Sequence, residues 1–148
     1  MSSTKTCYLD TNILIFYKDT SSDQHNQAIS IIEKLVADNF TLFTSSLALD
    51  EFLFTALYYL RKKKAKDVRS ELKDLLSSIL EIPNLEIVNP STDKDQQIKV
   101  VDLIADFSLR PRDAYHLLIA LENKIQYLAT FDSDFDKVFK TKIVKSVM

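Results

Sequence analysis

Glycine is absent from this 148-residue sequence. Without it the backbone lacks the close approach to phosphate that a Walker loop or a GxGxxG turn requires, which argues against nucleotide-triphosphate chemistry. Cysteine occurs once, at Cys7 inside an apolar segment. It has no internal disulfide partner, and a buried, reduced thiol is expected rather than a redox or zinc role. No stretch reaches the roughly 18 uncharged apolar residues of a membrane span, and the opening MSSTKT lacks the apolar core of a secretion signal. A cytoplasmic protein with no membrane contact is expected. Nor does one sign of charge dominate, since 19 basic and 21 acidic residues leave a formal −2. The molecule as a whole does not advertise a nucleic-acid binder, although carboxylates clustered on cations would meet a polyanion through metal and a local basic rim. What is present is 46% apolar residues, enough for the core of one domain spanning 1–148.

Cys7-Tyr8-Leu9 followed by Asp10 has the pattern of a strand buried on both faces and ending in a carboxylate. Ile13 to Tyr17 then suggest a short buried helical turn. Apolar residues at Ala28, Ile31, Ile32 and Leu35 predict a helix over about 23–38, capped by Ser22 or Asp23, with His25 on its solvated first turn. A second strand at 40–44 leads through Ser45-Ser46 into a helix from 47 to about 63. That helix is apolar all round across Phe52 to Leu60, so it is either buried on every side or awaiting a partner. The run from Arg61 to Lys66 is a solvated helix end or a phosphate-contacting rim. A helix at 67–80 and a strand at 85–88 follow, then a helix capped by Ser91 or Thr92. After Pro111 the next helix is expected to open at Asp113 and to close with Asn123 in the left-handed conformation. A strand at 125–130 and an edge strand at 142–147 complete an alternating pattern, the signature of an α/β fold with a central parallel sheet of four to five strands flanked by helices in three layers.

Acids recur at equivalent places in this alternation. Asp10 and Asp132 each follow a strand, Glu51 lies two turns into a helix, and Asp113 stands beside a proline-broken loop. Four converging carboxylates suppress each other's ionisation unless cations intervene. Hard divalent ions such as Mg²⁺ or Mn²⁺ suit oxygen ligands with no His/Cys cluster beside them. A phosphodiester is then the natural substrate, because a cation lowers the pKa of a water and neutralises charge on the phosphate.

Tyr8-Leu9-Asp10-Thr11-Asn12-Ile13, Ser46 with Glu51, Arg112-Asp113-Ala114-Tyr115-His116 and Ala129-Thr130-Phe131-Asp132-Ser133-Asp134-Phe135 together resemble the PIN-domain family, most closely its small VapC-type ribonuclease toxins. The resemblance spans nearly the whole chain. It implies a parallel five-strand sheet, a Mg²⁺- or Mn²⁺-dependent endoribonuclease acting on RNA, a homodimer, and inhibition by an antitoxin encoded beside it. By position it assigns Asp10, Glu51, Asp113 and Asp132 to the metal and the chemistry, with Asp134 or Asp136 able to share the fourth duty. Thr11, Asn12, Ser46 and Thr130 match positions that hold the ligands or a metal-bound water, and His116 reads as a packing or supporting residue rather than a ligand. Arg110, Arg112 and Lys62, Lys63 and Lys64 are the candidate RNA-binding cations.

Three alternatives compete. A haloacid-dehalogenase-like phosphatase also begins with a strand ending in Asp, but needs Asp-x-Asp where this chain has Asn12. A catalytically silent RNA- or protein-binding module would be marked by loss of an acid. A PIN nuclease of RNA maturation or decay would carry the same residues as a toxin.

Overall fold

The computed structural model describes residues 3–148. Cys7, Tyr8 and Leu9 are wholly buried, as the apolar run requires, because β1 (Thr6–Leu9) lies at the centre of the sheet. Its neighbours are β2 (Thr41–Ser45) and β4 (Tyr127–Ala129), with β3 (Leu85–Val88) and β5 (Lys145–Ser146) at the edges, all five parallel in the order β3-β2-β1-β4-β5. The helices are α1 (Thr11–Lys18), α2 (His25–Ala37), α3 (Ser46–Lys62), α4 (Val68–Leu80), α5 (Lys94–Phe107), α6 (Pro111–Glu122) and α7 (Asp136–Thr141). A 3-10 turn at Ser133–Phe135 precedes α7.

The period of two along β1 divides the core into two layers. Cys7 and Leu9 pack with Ile13 and Leu14 of α1, Ile32 and Leu35 of α2, Phe52 of α3 and Ile79 of α4. Tyr8 points the other way, into Leu117 and Leu118 of α6, Val100 of α5 and Val138 of α7. Three layers result, and the carboxyl edge of the sheet is where chain segments from both faces meet.

Several local expectations are corrected. The α2 N-cap is Gln24, which makes no side-chain cap bond, and α5 is capped by Asp93, whose carboxylate accepts from the Asp95 amide, rather than by Ser91 or Thr92. His25 is half-buried and bonds through Nδ1 to the Phe16 carbonyl at 2.8 Å, tying α2 to α1 instead of lying in solvent. Pro111 itself opens α6, its fixed φ suiting the first helical position, so Asp113 is the third residue of the helix. Asn123 has φ −93° and Lys124 takes the left-handed conformation at φ 54°. The reason is the helix end itself: Ile125 N–H bonds to Ala120 O at 2.9 Å and Lys124 N–H to Leu121 O at 3.1 Å, a Schellman closure that requires the residue before the buried apolar one to be left-handed. The turn and helix between Asp132 and Lys142 had no counterpart in the sequence pattern.

Candidate active site

Asp10 is the first residue past β1, and its carboxylate becomes the cap of α1, with Oδ1 accepting from the Thr11 amide at 2.8 Å. Oδ2 accepts from the Thr130 hydroxyl at 2.7 Å and the Asn12 side-chain amide at 3.3 Å. Thr130 lies 120 residues away in sequence, yet adjacent, because β4 pairs with β1. Asn12 also donates to Thr130 Oγ1 at 3.1 Å and accepts from the Phe131 amide at 3.1 Å. The Asp132 amide donates to Thr130 Oγ1 at 3.0 Å, and Asp132 Oδ1 in turn accepts from the Asp134 amide at 2.9 Å. Two strand ends are thereby stitched into one polar frame, and the loop after β4 is bent so that Asp132 and Asp134 face Asp113. The oxygens offered by Asp113, Asp132 and Asp134 all lie within 4.8 Å of one another.

The charges respond to this crowding. Burial raises the Asp10 carboxyl above its ordinary range; the positive field of His116 and the hydrogen bonds from Thr130 and the Thr11 amide pull it back, while the Glu51 charge adds to the rise. Asp113 is half-buried and pushed up to about 6, first by desolvation and then by the charges of Asp10 and Asp132; His116 opposes the rise and Asp134 adds to it. Burial likewise pushes the Cys7 thiol up to about 12, in keeping with an inert core residue.

Glu51 approaches from α3 and is engaged on one oxygen. Its Oε1 lies 2.9 Å from His116 Nε2 and 3.4 Å from Arg112 Nε. His116 Nε2 is also 3.8 Å from Asp10 Oδ1, so the buried imidazole stands between two of the four expected acids. Asp113, Asp132 and Asp134 form the tight group, with Asp10 and Glu51 joined to each other through His116. Asp136, exposed at the start of α7, is not in the group. Asn12 and Thr130 reach Asp10 with their side chains and Thr11 with its amide alone, and Thr11 Oγ1 is buried without a hydrogen-bond partner among the described residues. Ser46 is exposed and gives only its amide, to Asn89; the buried hydroxyl at this helix start belongs to Ser45, which caps α3 through the Ala48 amide.

The cations separate into two sets. Arg112 sits on Glu51, and Arg110, exposed, is the residue before α6. Lys62 lies 11 residues beyond Glu51 on α3, about 16 Å along the helix at 1.5 Å per residue. Lys63 is paired with Glu71 at 3.1 Å. The lysine run is thus not brought to the carboxylates. Sequence reasoning missed Tyr8 and Ser45, which meet through a 2.6 Å hydrogen bond beneath His116. The available signal was a tyrosine in an otherwise apolar buried strand, whose hydroxyl had to find a partner.

The sequence profile of the PIN domain matches residues 7–140. The chain belongs to the PIN-domain family. No curated protein sequence matches this PIN domain. Among solved structures it is similar to VapBC2 from Rickettsia felis bound to a DNA fragment from its promoter, at TM-score 0.66 and 19% identity over 95% of this chain and 96% of that one. It is also similar to VapC20 of Mycobacterium tuberculosis, a sarcin-ricin loop cleaving toxin, at TM-score 0.62 and 15% identity over 89% and 94%. FitAB bound to an IR36 DNA fragment aligns at TM-score 0.65 and 14% identity over 95% and 92%. At these identities the likeness is one of fold. The donor set fits a divalent cation on its own terms: three converging carboxylates offer hard oxygens without competing thiolate or imidazole donors in the group.

Proposed function

We propose that this PIN domain is a divalent-metal-dependent endoribonuclease that hydrolyses RNA phosphodiester bonds and serves as the toxin of a toxin–antitoxin pair in the cytoplasm. The observation that carries the reading is the convergence of Asp113, Asp132 and Asp134 at the carboxyl edge of the sheet, with buried Asp10 held behind them by Thr130 and Asn12. Mg²⁺ or Mn²⁺ bound there would polarise a water and the reacting phosphate. The chain's own residues do the rest. Asp113, Asp132 and Asp134 hold the cation, with Asp10 and Glu51 completing its surroundings; Thr130 and Asn12 keep Asp10 aimed, and no side chain acts as covalent nucleophile.

Arg112, paired with Glu51 through Nε and largely exposed, offers guanidinium N–H groups to a phosphate oxygen, and Arg110 adds a second cation at the same helix start. Lys62, Lys63 and Lys64, a helix length away, would touch RNA only beyond the scissile bond. The toxin role draws on the likeness to VapC20, a toxin, and to a toxin–antitoxin complex from Klebsiella pneumoniae, and the antitoxin is the partner it implies.

The test is cleavage of a panel of structured and single-stranded RNAs with Mg²⁺, with Mn²⁺ and with EDTA, beside Asp113→Asn. Cutting that needs metal and disappears in Asp113→Asn is the expected result. Cutting that persists in EDTA, or that Asp113→Asn leaves intact, overturns the mechanism.

A further inference from the structure

Tyr8 is wholly buried in the central strand, and its Oη lies 2.6 Å from both Ser45 Oγ and His116 Nδ1. Ser45 Oγ accepts from the Ala48 amide at 3.1 Å, which anchors that end of the series on the first turn of α3. At the other end His116 Nε2 meets Glu51 Oε1 at 2.9 Å. An ionised carboxylate only accepts, so Nε2 carries a proton and donates it to Glu51. The bonds run from Ser45 through Tyr8 and His116 to Glu51 and return to the helix they left, six residues further on.

Satisfying a buried phenol would not by itself demand this route. A phenylalanine in β1 would fill the same core without any partner, and the hydroxyl instead leads to one oxygen of one site carboxylate. Both neighbours of that carboxylate, His116 and Arg112, engage Oε1, and Oε2 takes no hydrogen bond among the described residues. We propose that Tyr8 and His116 are positioning residues for Glu51, holding it by Oε1 so that Oε2 is the oxygen presented to a divalent cation. The proposal rests on the metal-site reading above. It goes beyond that reading in assigning a task to core residues that never touch substrate.

The decisive measurement is calorimetric titration of Mn²⁺ into the metal-free full chain, in wild type, Tyr8→Phe, Glu51→Gln and the double variant. Tyr8→Phe should weaken Mn²⁺ binding about tenfold, as losing a ligand's hydrogen-bonded support does. In the Glu51→Gln background it should cost nothing more, because its effect passes through Glu51. An equal loss in both backgrounds, or none in either, overturns the proposal; a purely structural tyrosine gives one of those two results. Should Tyr8→Phe fail to fold, His116→Asn breaks the same connection between Tyr8 and Glu51 and is expected to behave alike.

If the wild type itself binds no Mn²⁺, the metal reading fails, and the relay is judged from proton NMR. The chain has two histidines, so His25→Gln leaves the His116 imidazole N–H alone in the downfield region. That resonance should be present in otherwise wild-type protein and lost in Tyr8→Phe; its absence from the first or persistence in the second overturns the proposal without reference to metal.

Discussion

Asp113 shows what crowding of acids does to a single side chain. Its carboxyl, pushed up to about 6, holds a proton in the folded protein at pH values where the unfolded chain has released it. Between the ordinary value of 3.8 and about 6, the metal-free protein should therefore lose stability as pH rises, and Asp10, shifted the same way by burial, adds to the slope. Thermal melts in EDTA at stepped pH check this, and Asp113→Asn should flatten the slope. Mn²⁺ affinity should run opposite, climbing with pH until about 6 and then levelling as the proton ceases to compete. Thr130→Val removes a donor from buried Asp10 and is expected to cost about 1–3 kcal/mol in urea denaturation while raising the Asp10 carboxyl further. Asp10 stands out in the sequence because a carboxylate there directly follows an apolar strand, whereas Glu51 and Asp113 lie within helices. How the acids divide was not legible: nothing in the spacing of Glu51 and His116 tells that an imidazole comes between two of them, since that depends on which face of β1 Tyr8 occupies.

At the level of elements, the helix ends carry the cost of a chain without glycine. Asn39, Lys64, Asn84, Ser108, Lys124 and Lys142 all have φ between 53° and 62°, and of these only Asn39 and Asn84 are of a type that suits that region. At α2, α3, α5 and α6 the closure has one form, in which Phe40, Ala65, Leu109 and Ile125 each bond back to the carbonyl five residues earlier. An apolar residue past the helix fixes where the left-handed one falls. This makes the helix stops readable from the apolar residue rather than from the turn-former, and explains why Asn123 was the wrong choice and Lys124 the right one. Lys124→Gly should raise stability by about 0.5–1 kcal/mol, the relief of the left-handed strain exceeding the added freedom of the unfolded chain. Denaturant midpoints with an unchanged slope would check it. The strands were legible because they are apolar and short; the 3-10 turn and α7 were not, because their order comes from Asp132 capping and from Phe135 and Val138 filling the space beside α6.

For the molecule as a whole, α3 and α5 each carry exposed apolar side chains. Phe54 is 75% exposed and Tyr58 57% on α3, and Ile98 is 67% exposed on α5. The α3 face that carries Phe54 and Tyr58 suits a second copy of the chain. Sedimentation should show a concentration-dependent dimer that Phe54→Glu shifts towards monomer; a monomer at every concentration would refute it. Charge is also arranged on this scale. Reversing Lys62, Lys63 and Lys64 together should leave cleavage of a short RNA unchanged and flatten the salt dependence of binding to a long one, whereas reversing Arg112 should weaken both.

The order of the sheet has a last consequence, for how the molecule is made. β1 is synthesised well before β4, the strand it pairs with on one side, some 120 residues later. Domains of this kind generally fold as units, and translation runs at roughly 5–20 residues per second. Asp10 therefore exists for about 6–24 s without the hydroxyl of Thr130, and Asp113 for about 1–4 s without Asp132 and Asp134. A chain whose synthesis stops before β4 carries Asp10, Glu51 and Asp113 without the frame that Thr130, Asp132 and Asp134 build, so the carboxylate cluster is expected to form only once that later segment has been made.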